Sequence, residues 1–425
     1  MSSKRVRALG LTAGLAVAAT LFAPPASADP TTGTTTTTAA GAKLTMPPLS
    51  GRYPVGTTDL HLVDNRPDPW RPAEKRELMV TLTYPAHRGG ERATWIPPGI
   101  RGVLDEVAAG PYLLELPAGS IDWGSAKRHA RTGATADRTR GGWPVVVFSH
   151  GFGSAKELNT GLTDDLASRG YVVASVSHTH EAAVVEFPGG RVVPGTVDQL
   201  DPAVRKTAID TRVADSRFVL DQLARLDRGD NPDAERDPLP RGLAGSLDLT
   251  EVGMFGHSYG GYTTGETMFQ DRRFDAGINI DGSMGWDDGQ FGDVVKHGLD
   301  RPFLLVGGDF VDPETGERWE HSHVDTRLGP TWAKFWEVQR GWKRDLHFDR
   351  STHYSFTDLQ FVTPQVASLL KPGKQEELVG AIDAKKSLDA QHDYVARFFD
   401  VHLKHRDGRL FDHGPARHPD TRFVS

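Results

Sequence analysis

The stretch Thr250–Phe269, TEVGMFGHSYGGYTTGETMF, reads as a buried strand, an abrupt turn and a helix. At its apex, Gly256-His257-Ser258-Tyr259-Gly260 spells G-x-S-x-G. A serine hydroxyl is a poor nucleophile in water. It becomes useful when held proud of the backbone, beside a base and a pair of N–H donors. A strand that turns sharply into a helix gives that placement, and glycines two residues either side allow the close backbone approach. The pentapeptide alone is weak evidence, so its flanks decide. Val252, Met254 and Phe255 supply an apolar strand before it, and Gly261 with Tyr262–Phe269 supplies a helix after it.

Outward from this turn, strands and helices alternate. Pro144–Ser149, PVVVFS, is a continuous apolar run, the mark of a central parallel strand, and His150-Gly151-Phe152-Gly153 is a tight turn. Leu158–Ser168 has the spacing of an amphipathic helix closed by Gly170, and Tyr171–Val176 is another buried strand. Val204–Leu226 predicts a long helix, followed by a polar, proline-rich loop over 227–245. Beyond the opening stretch, strands are expected at Asp275–Ile280, ending on Asp281, at Pro302–Val306, ending on Gly307-Gly308-Asp309, and around Leu346–Phe348. A closing helix is expected over Ser387–Leu403. Upstream, Glu77–Tyr84 alternates as a strand, whereas residues 86–142 are rich in Gly, Pro and Arg, with short apolar pieces such as Tyr112–Leu116, and read as an irregular insertion. This order predicts an α/β protein with a mostly parallel central sheet and helices on both faces. In such sheets function collects at the carboxyl ends of the strands.

Composition narrows the class. The chain has 425 residues, of which 38% are hydrophobic and 25% charged, an ordinary balance for a large core with a solvated surface. A net charge of −7 argues against a nucleic-acid partner. Lys4, Arg5 and Arg7, the apolar run Ala8–Ala23 and Ala26-Ser27-Ala28 have the form of a signal peptide over 1–28, so a secreted, extracellular protein is expected. Residues 29–43 are Thr-rich and read as a flexible lead-in, leaving 44–425 as one catalytic domain. There is no cysteine, hence no disulfide and no thiol nucleophile.

The α/β-hydrolase fold orders its triad Ser, acid, His along the chain. With Ser258 as nucleophile, His353 is the expected base, because it follows a strand in RDLHFDRSTHYSF; His347, inside that strand, is the lesser candidate. Two carboxylates compete as the acid. Asp281 ends the strand after the nucleophile helix and Asp309 ends the next one, and layout alone leaves both open. Oxyanion donors are expected from the backbone N–H groups of Tyr259 and Phe152. No cofactor or metal is expected. His178-Thr179-His180 and His321-Ser322-His323 have metal-like H-x-H spacing without an evident third ligand, although His178 could line the rim of the site. Asp164-Asp165 and Asp287-Asp288 read as solvated surface pairs rather than calcium ligands, and Trp332, Phe335 and Trp336 as a packed helix face.

Several blocks together resemble the plasma-type platelet-activating factor acetylhydrolases and their bacterial esterase and lipase relatives. These are SGRYPVGTTDL, TLTYPAHRGGERATWIP, WPVVVFSHGFGSAKELNTGLTDDLASRGYVVASVSH, GHSYGG, DRRFDAGINIDGSM and STHYSFTDLQF, in that order, within about residues 46–405. The resemblance implies Ser258, His353 and, of the two carboxylates, Asp281 as triad, with Phe152 and Tyr259 as oxyanion donors. It implies a secreted serine carboxylic ester hydrolase acting on small-molecule or lipid esters, with transient contact at a lipid interface. Tyr259, the long loop at 227–245 and the lack of an apolar docking helix before 144–149 depart from the pattern and weaken the case for phospholipid. An acyltransferase or a polyester-degrading hydrolase would use the same triad.

Overall fold

The computed structural model describes residues 41–110, 113–198, 201–286, 289–312, 315–412 and 417–425. The expected signal peptide and most of the lead-in fall outside them.

A single large sheet carries the fold. In chain order its strands are β1 (Val55–Asp68), β2 (Arg71–Pro85), β3 (Arg92–Thr94), β4 (Lys127–Thr132), β5 (Trp143–Ser149), β6 (Val172–Ser177), β7 (Leu247–His257), β8 (Ala276–Ile280), β9 (Phe303–Gly307), β10 (Lys343–Phe348) and β11 (Thr421–Phe423). In space they run β11-β10-β9-β8-β7-β5-β6-β2-β1-β4-β3. The six strands from β6 to β10 are mutually parallel, and β2 and β11 pair antiparallel at either side of them. The order turns back between β5 and β7. That is the switch point where an open α/β sheet leaves a crevice at its carboxyl end.

Strand β5 shows why the sheet forms where it does. All seven of its residues are buried, and its side chains divide by period two. Val145 and Val147 join a core with helices α3 (Pro202–Asp227), α4 (Tyr259–Gln270) and α5 (Thr331–Val338). Val146 and Phe148 face the other way, into a core with α2 (Thr160–Ser168) and α7 (Ala384–His402). Each such side chain stabilises the fold by roughly 1.5–3 kcal/mol on burial. Helix α3 starts where the sequence tells it to: Asp201 accepts the N–H of Ala203, and Pro202 occupies the first turn.

Four expectations are corrected. Residues 86–142 are not merely irregular. They contribute β3, β4 and helix α1 (Arg101–Ala109), and a third core, with Trp95, Ile100, Leu104 and Trp123, packs against helix α6 (Leu359–Gln365). Within the apolar piece 112–116, Tyr112 lies outside the described residues, and Leu113, Leu114 and Leu116 are buried in that core. Ala42–Lys43, expected to be lead-in, pairs in parallel with Ile121–Asp122. Helix α2 is not amphipathic: every residue from Thr160 to Ser168 is buried. Its acids are accordingly not a solvated pair. Asp164 is bound by Arg128, and Asp165 by Ser50 and Arg169. Asp287 and Asp288 lie outside the described residues.

Candidate active site

The registers of β5, β7, β8 and β9 bring the carboxyl ends of four strands level: Gly256 faces Ser149, His257 faces Ile280, and Ile280 faces Val306. The turns after these strands build the site.

Ser258 sits between β7 and α4 with φ 57° and ψ −125°, a conformation that costs an L-residue of order 1–3 kcal/mol and persists only when its surroundings hold it. Its N–H donates to the carbonyl of Ile280 at 2.7 Å. The tightness explains Gly260, where a Cβ would lie 1.9 Å from the carbonyl oxygen of Ser149.

Asp281 follows β8, also at positive φ (57°). Its Oδ2 lies 2.6 Å from Nδ1 of His353. Its Oδ1 lies 2.9 Å from Nδ1 of His321 and accepts the N–H of Gly308 at 3.1 Å. Burial pushes this carboxyl up, but the charge and hydrogen bonds of His321 and His353 outweigh it and hold it well below the usual carboxylate range. Asp309 lies elsewhere in the network: its Oδ1 is 2.9 Å from Nε2 of the buried His347, and Arg318 and the N–H of Arg350 bind Oδ2. The structure thus joins Asp281 to His353 and Asp309 to His347. His353, Ser258 and Phe152 line one cleft.

The turn after β5 is braced from below. Arg212, on α3 and fully buried, donates to the carbonyls of His150 (2.6 Å) and Gly151 (3.4 Å) and to Glu181 (2.8 Å). Its guanidinium lies 5.6 Å from the ring of Phe152 and 5.0 Å from that of Tyr259. Among the described residues neither the Phe152 nor the Tyr259 N–H has a hydrogen-bond partner, while the next N–H, of Gly153, is taken by the carbonyl of Glu181. Phe152 lines the same cleft as Ser258, and Tyr259 follows Ser258 directly in the chain.

Three contributors were not legible in the sequence. Arg212 reads only as one polar residue of a long helix. His257 packs on the His353 ring at 4.5 Å, and its Nε2 lies 3.0 Å from the His353 carbonyl. Burial and the neighbouring His353 push it down to about 3, so it is neutral and can donate that bond. His321 was noted only for its spacing. Three of the four H-x-H histidines are engaged with carboxylates instead, His178 with Asp215, His321 with Asp281 and His323 with Asp345, and the fourth, His180, lies 3.9 Å from Asp68. His178 is buried beneath the site rather than at its rim. Among the described residues no group of three or more metal-ligating side chains occurs. Trp332 and Phe335 are buried as expected, and Trp332 stacks on His321.

The cleft over Ser258 measures about 40 Å³. Leu104 and Val107 of α1, Leu113, Leu158, Tyr354 and Leu359 line it, so the 86–142 segment forms part of its cover.

The sequence matches the family described as platelet-activating factor acetylhydrolase, isoform II, over residues 38–416. The chain belongs to that family. It is 28% identical over 295 residues to a probable 1-alkyl-2-acetylglycerophosphocholine esterase of Arthroderma benhamiae, covering 67% of this chain and 66% of the relative. It is 26% identical to the platelet-activating factor acetylhydrolase of Cavia porcellus, covering 81% of this chain and 75% of that one. A ferulic acid esterase from Streptomyces cinnamoneus shares the fold with a TM-score of 0.68 and 34% identity, covering 91% of this chain and all of its own. The fold is that of the α/β-hydrolases, and the family member is a carboxylic ester hydrolase.

Proposed function

We propose that this family member hydrolyses esters of short acyl groups through an acyl-enzyme on Ser258, with His353 as base and Asp281 as the acid that orients it. The observation that carries the reading is the 2.6 Å contact of Asp281 Oδ2 with His353 Nδ1, beside a serine held in an elbow on the same cleft. The Ser258 hydroxyl attacks the ester carbonyl while His353 Nε2 takes its proton. The resulting oxyanion is held by the N–H groups of Phe152 and Tyr259. The intermediate collapses by returning the proton to the leaving alkoxide, which departs as alcohol. Water then attacks the acyl-serine, gives its proton to His353, and the acid is released as Ser258 regains a proton. Asp281, held ionised, keeps the Nδ1 proton on His353 and stabilises the imidazolium.

The size of the cleft supports a short acyl group. It is about 40 Å³, and leucine and valine side chains line it, which favours a short acyl group over a long chain. Acetyl esters, including short-chain phospholipid esters of the kind named for the relatives, are the substrates the cleft suits as it stands. The 1–28 segment fits export, so the esters would be met outside the cell. Hydrolysis of acetyl, butyryl and octanoyl esters, a 2-acetyl phospholipid and a ferulate ester tests the proposal, with Ser258→Ala as control. Acetyl substrates should be preferred and the variant should be folded and inactive. A folded Ser258→Ala enzyme with wild-type turnover would end the mechanism, and a preference for octanoyl would end the acyl assignment.

A further inference from the structure

We propose that His321 is a positioning residue for the reaction: it fixes the Asp281 carboxylate so that Oδ2 faces His353. This rests on the reading of Asp281 as the triad acid.

The Asp281 carboxylate is an acceptor only, so the His321 Nδ1 facing its Oδ1 at 2.9 Å is the protonated nitrogen. With the Gly308 N–H on the same oxygen at 3.1 Å, Oδ1 has two donors, and Oδ2 is left to His353. Rotation of the carboxylate about its Cβ–Cγ bond would break all three contacts at once. A carboxylate in a buried site without such donors would be free to turn, and would also compete for the His353 proton as it grows more basic.

His321 is itself fixed. Its ring stacks on Trp332 with centroids 3.9 Å apart and planes 21° apart, and Trp332 Nε1–H is anchored on the carbonyl of Gly282, the residue after Asp281. The His321 N–H donates to the carbonyl of Gly308 at 2.9 Å. Its own carbonyl lies so close to Gly307 that a Cβ there would come within 1.9 Å of it. His321, Trp332 and the 307–308 turn therefore form one rigid bracket on Oδ1, while His353 takes Oδ2. The His321 side chain is only 11% exposed, so water does not readily replace its N–H.

Two substitutions separate the donor from the packing. His321→Phe keeps a ring on Trp332 and removes the N–H; His321→Asn loses the ring but can put an amide N–H where Nδ1 stood. A hydrogen bond to a charged group is worth about 1.5–3 kcal/mol, which corresponds to roughly 10- to 100-fold in rate. His321→Phe should lower kcat by that factor with KM little changed, and should move the downfield proton resonance of the His353–Asp281 bond. His321→Asn should recover most of kcat and the resonance. In an Asp281→Asn background, His321→Phe should add no further loss. A His321→Phe enzyme with kcat within about twofold of wild type would overturn the role, as would an equal loss in both backgrounds. If Asp281→Asn itself turns over like wild type, the triad reading fails instead. A crippled Asp281→Asn beside an unaffected His321→Phe removes only the role of His321.

Discussion

At the scale of single residues, the two carboxylates that layout left open have opposite surroundings. Asp281 contacts a histidine that lines the cleft, while Asp309 is bound to a strand histidine, an arginine and a loop N–H. Asp281→Asn should therefore lower kcat by about 10⁴-fold, as loss of the orienting carboxylate does in a serine triad. Asp309→Asn should leave turnover per folded molecule close to wild type and cost about 2 kcal/mol of stability through its weakened charge-assisted bonds. Steady-state kinetics beside denaturant unfolding reads both, and a folded, silent Asp309→Asn would transfer the role of acid to Asp309. Ser258, His353 and the paired candidates Asp281 and Asp309 could be named from sequence because each lies at or shortly after the carboxyl end of a strand whose apolar residues are legible. His257, Arg212 and His321 could not. Their parts depend on where a ring or a guanidinium lands after folding: Arg212 on the carbonyls of a turn 61 or more residues away, His321 on a carboxylate 40 residues away.

At the scale of elements, the apolar strands and the long helices were legible, since β5, β6, β8 and β9 are buried on both faces and read as unbroken runs. Strand β11 and the strands of the 86–142 segment were not, because they are short and partly exposed. The buried helix α2 misled, and the reason is chemical: its polar residues find partners in distant segments. One of these is Asp358, at the start of α6, whose Oδ1 accepts the Gly161 N–H at 3.0 Å. Burial, reinforced by the charge of Asp164, pushes the Asp358 carboxyl up to about 8, although the Gly161 N–H pulls the other way. A folded pKa raised above the unfolded value near 3.9 means stability that is full at low pH and lost as pH rises through about 8. Asp358→Asn does not titrate and keeps an oxygen for Gly161. Its stability relative to wild type should therefore climb from pH 5 to pH 8, by at most about 1.4 kcal/mol per pH unit, and level off above. Thermal melts across that range decide it, and a pH-independent difference would show that the carboxyl is ionised throughout.

At the scale of the whole molecule, the turns after the central strands line the cleft on one side and the 86–142 segment covers it on the other. That segment is anchored twice, by β4 pairing with β1 and by its own core against α6, so α1 is held over the cleft rather than hung from a loop. Among the described residues no helix is long and apolar enough to cross a membrane. Val107 is the cover residue best suited to a test. It lines the cleft and is only partly buried, whereas Leu104 is part of the core and its loss would cost about 2–5 kcal/mol of stability. Val107→Ala removes two methyl groups from the cover, worth about 0.8 kcal/mol each for a carbon of the chain that takes their place. The ratio of octanoyl to acetyl kcat/KM should rise on the order of tenfold, with the acetyl value itself little altered. Val107→Phe should act in reverse, depressing octanoyl more than acetyl. Both variants leave Ser258, His353 and Asp281 untouched, so a change common to all acyl lengths would mean a disturbed triad. An unchanged ratio in both would mean that the acyl chain leaves the serine by another route, away from α1.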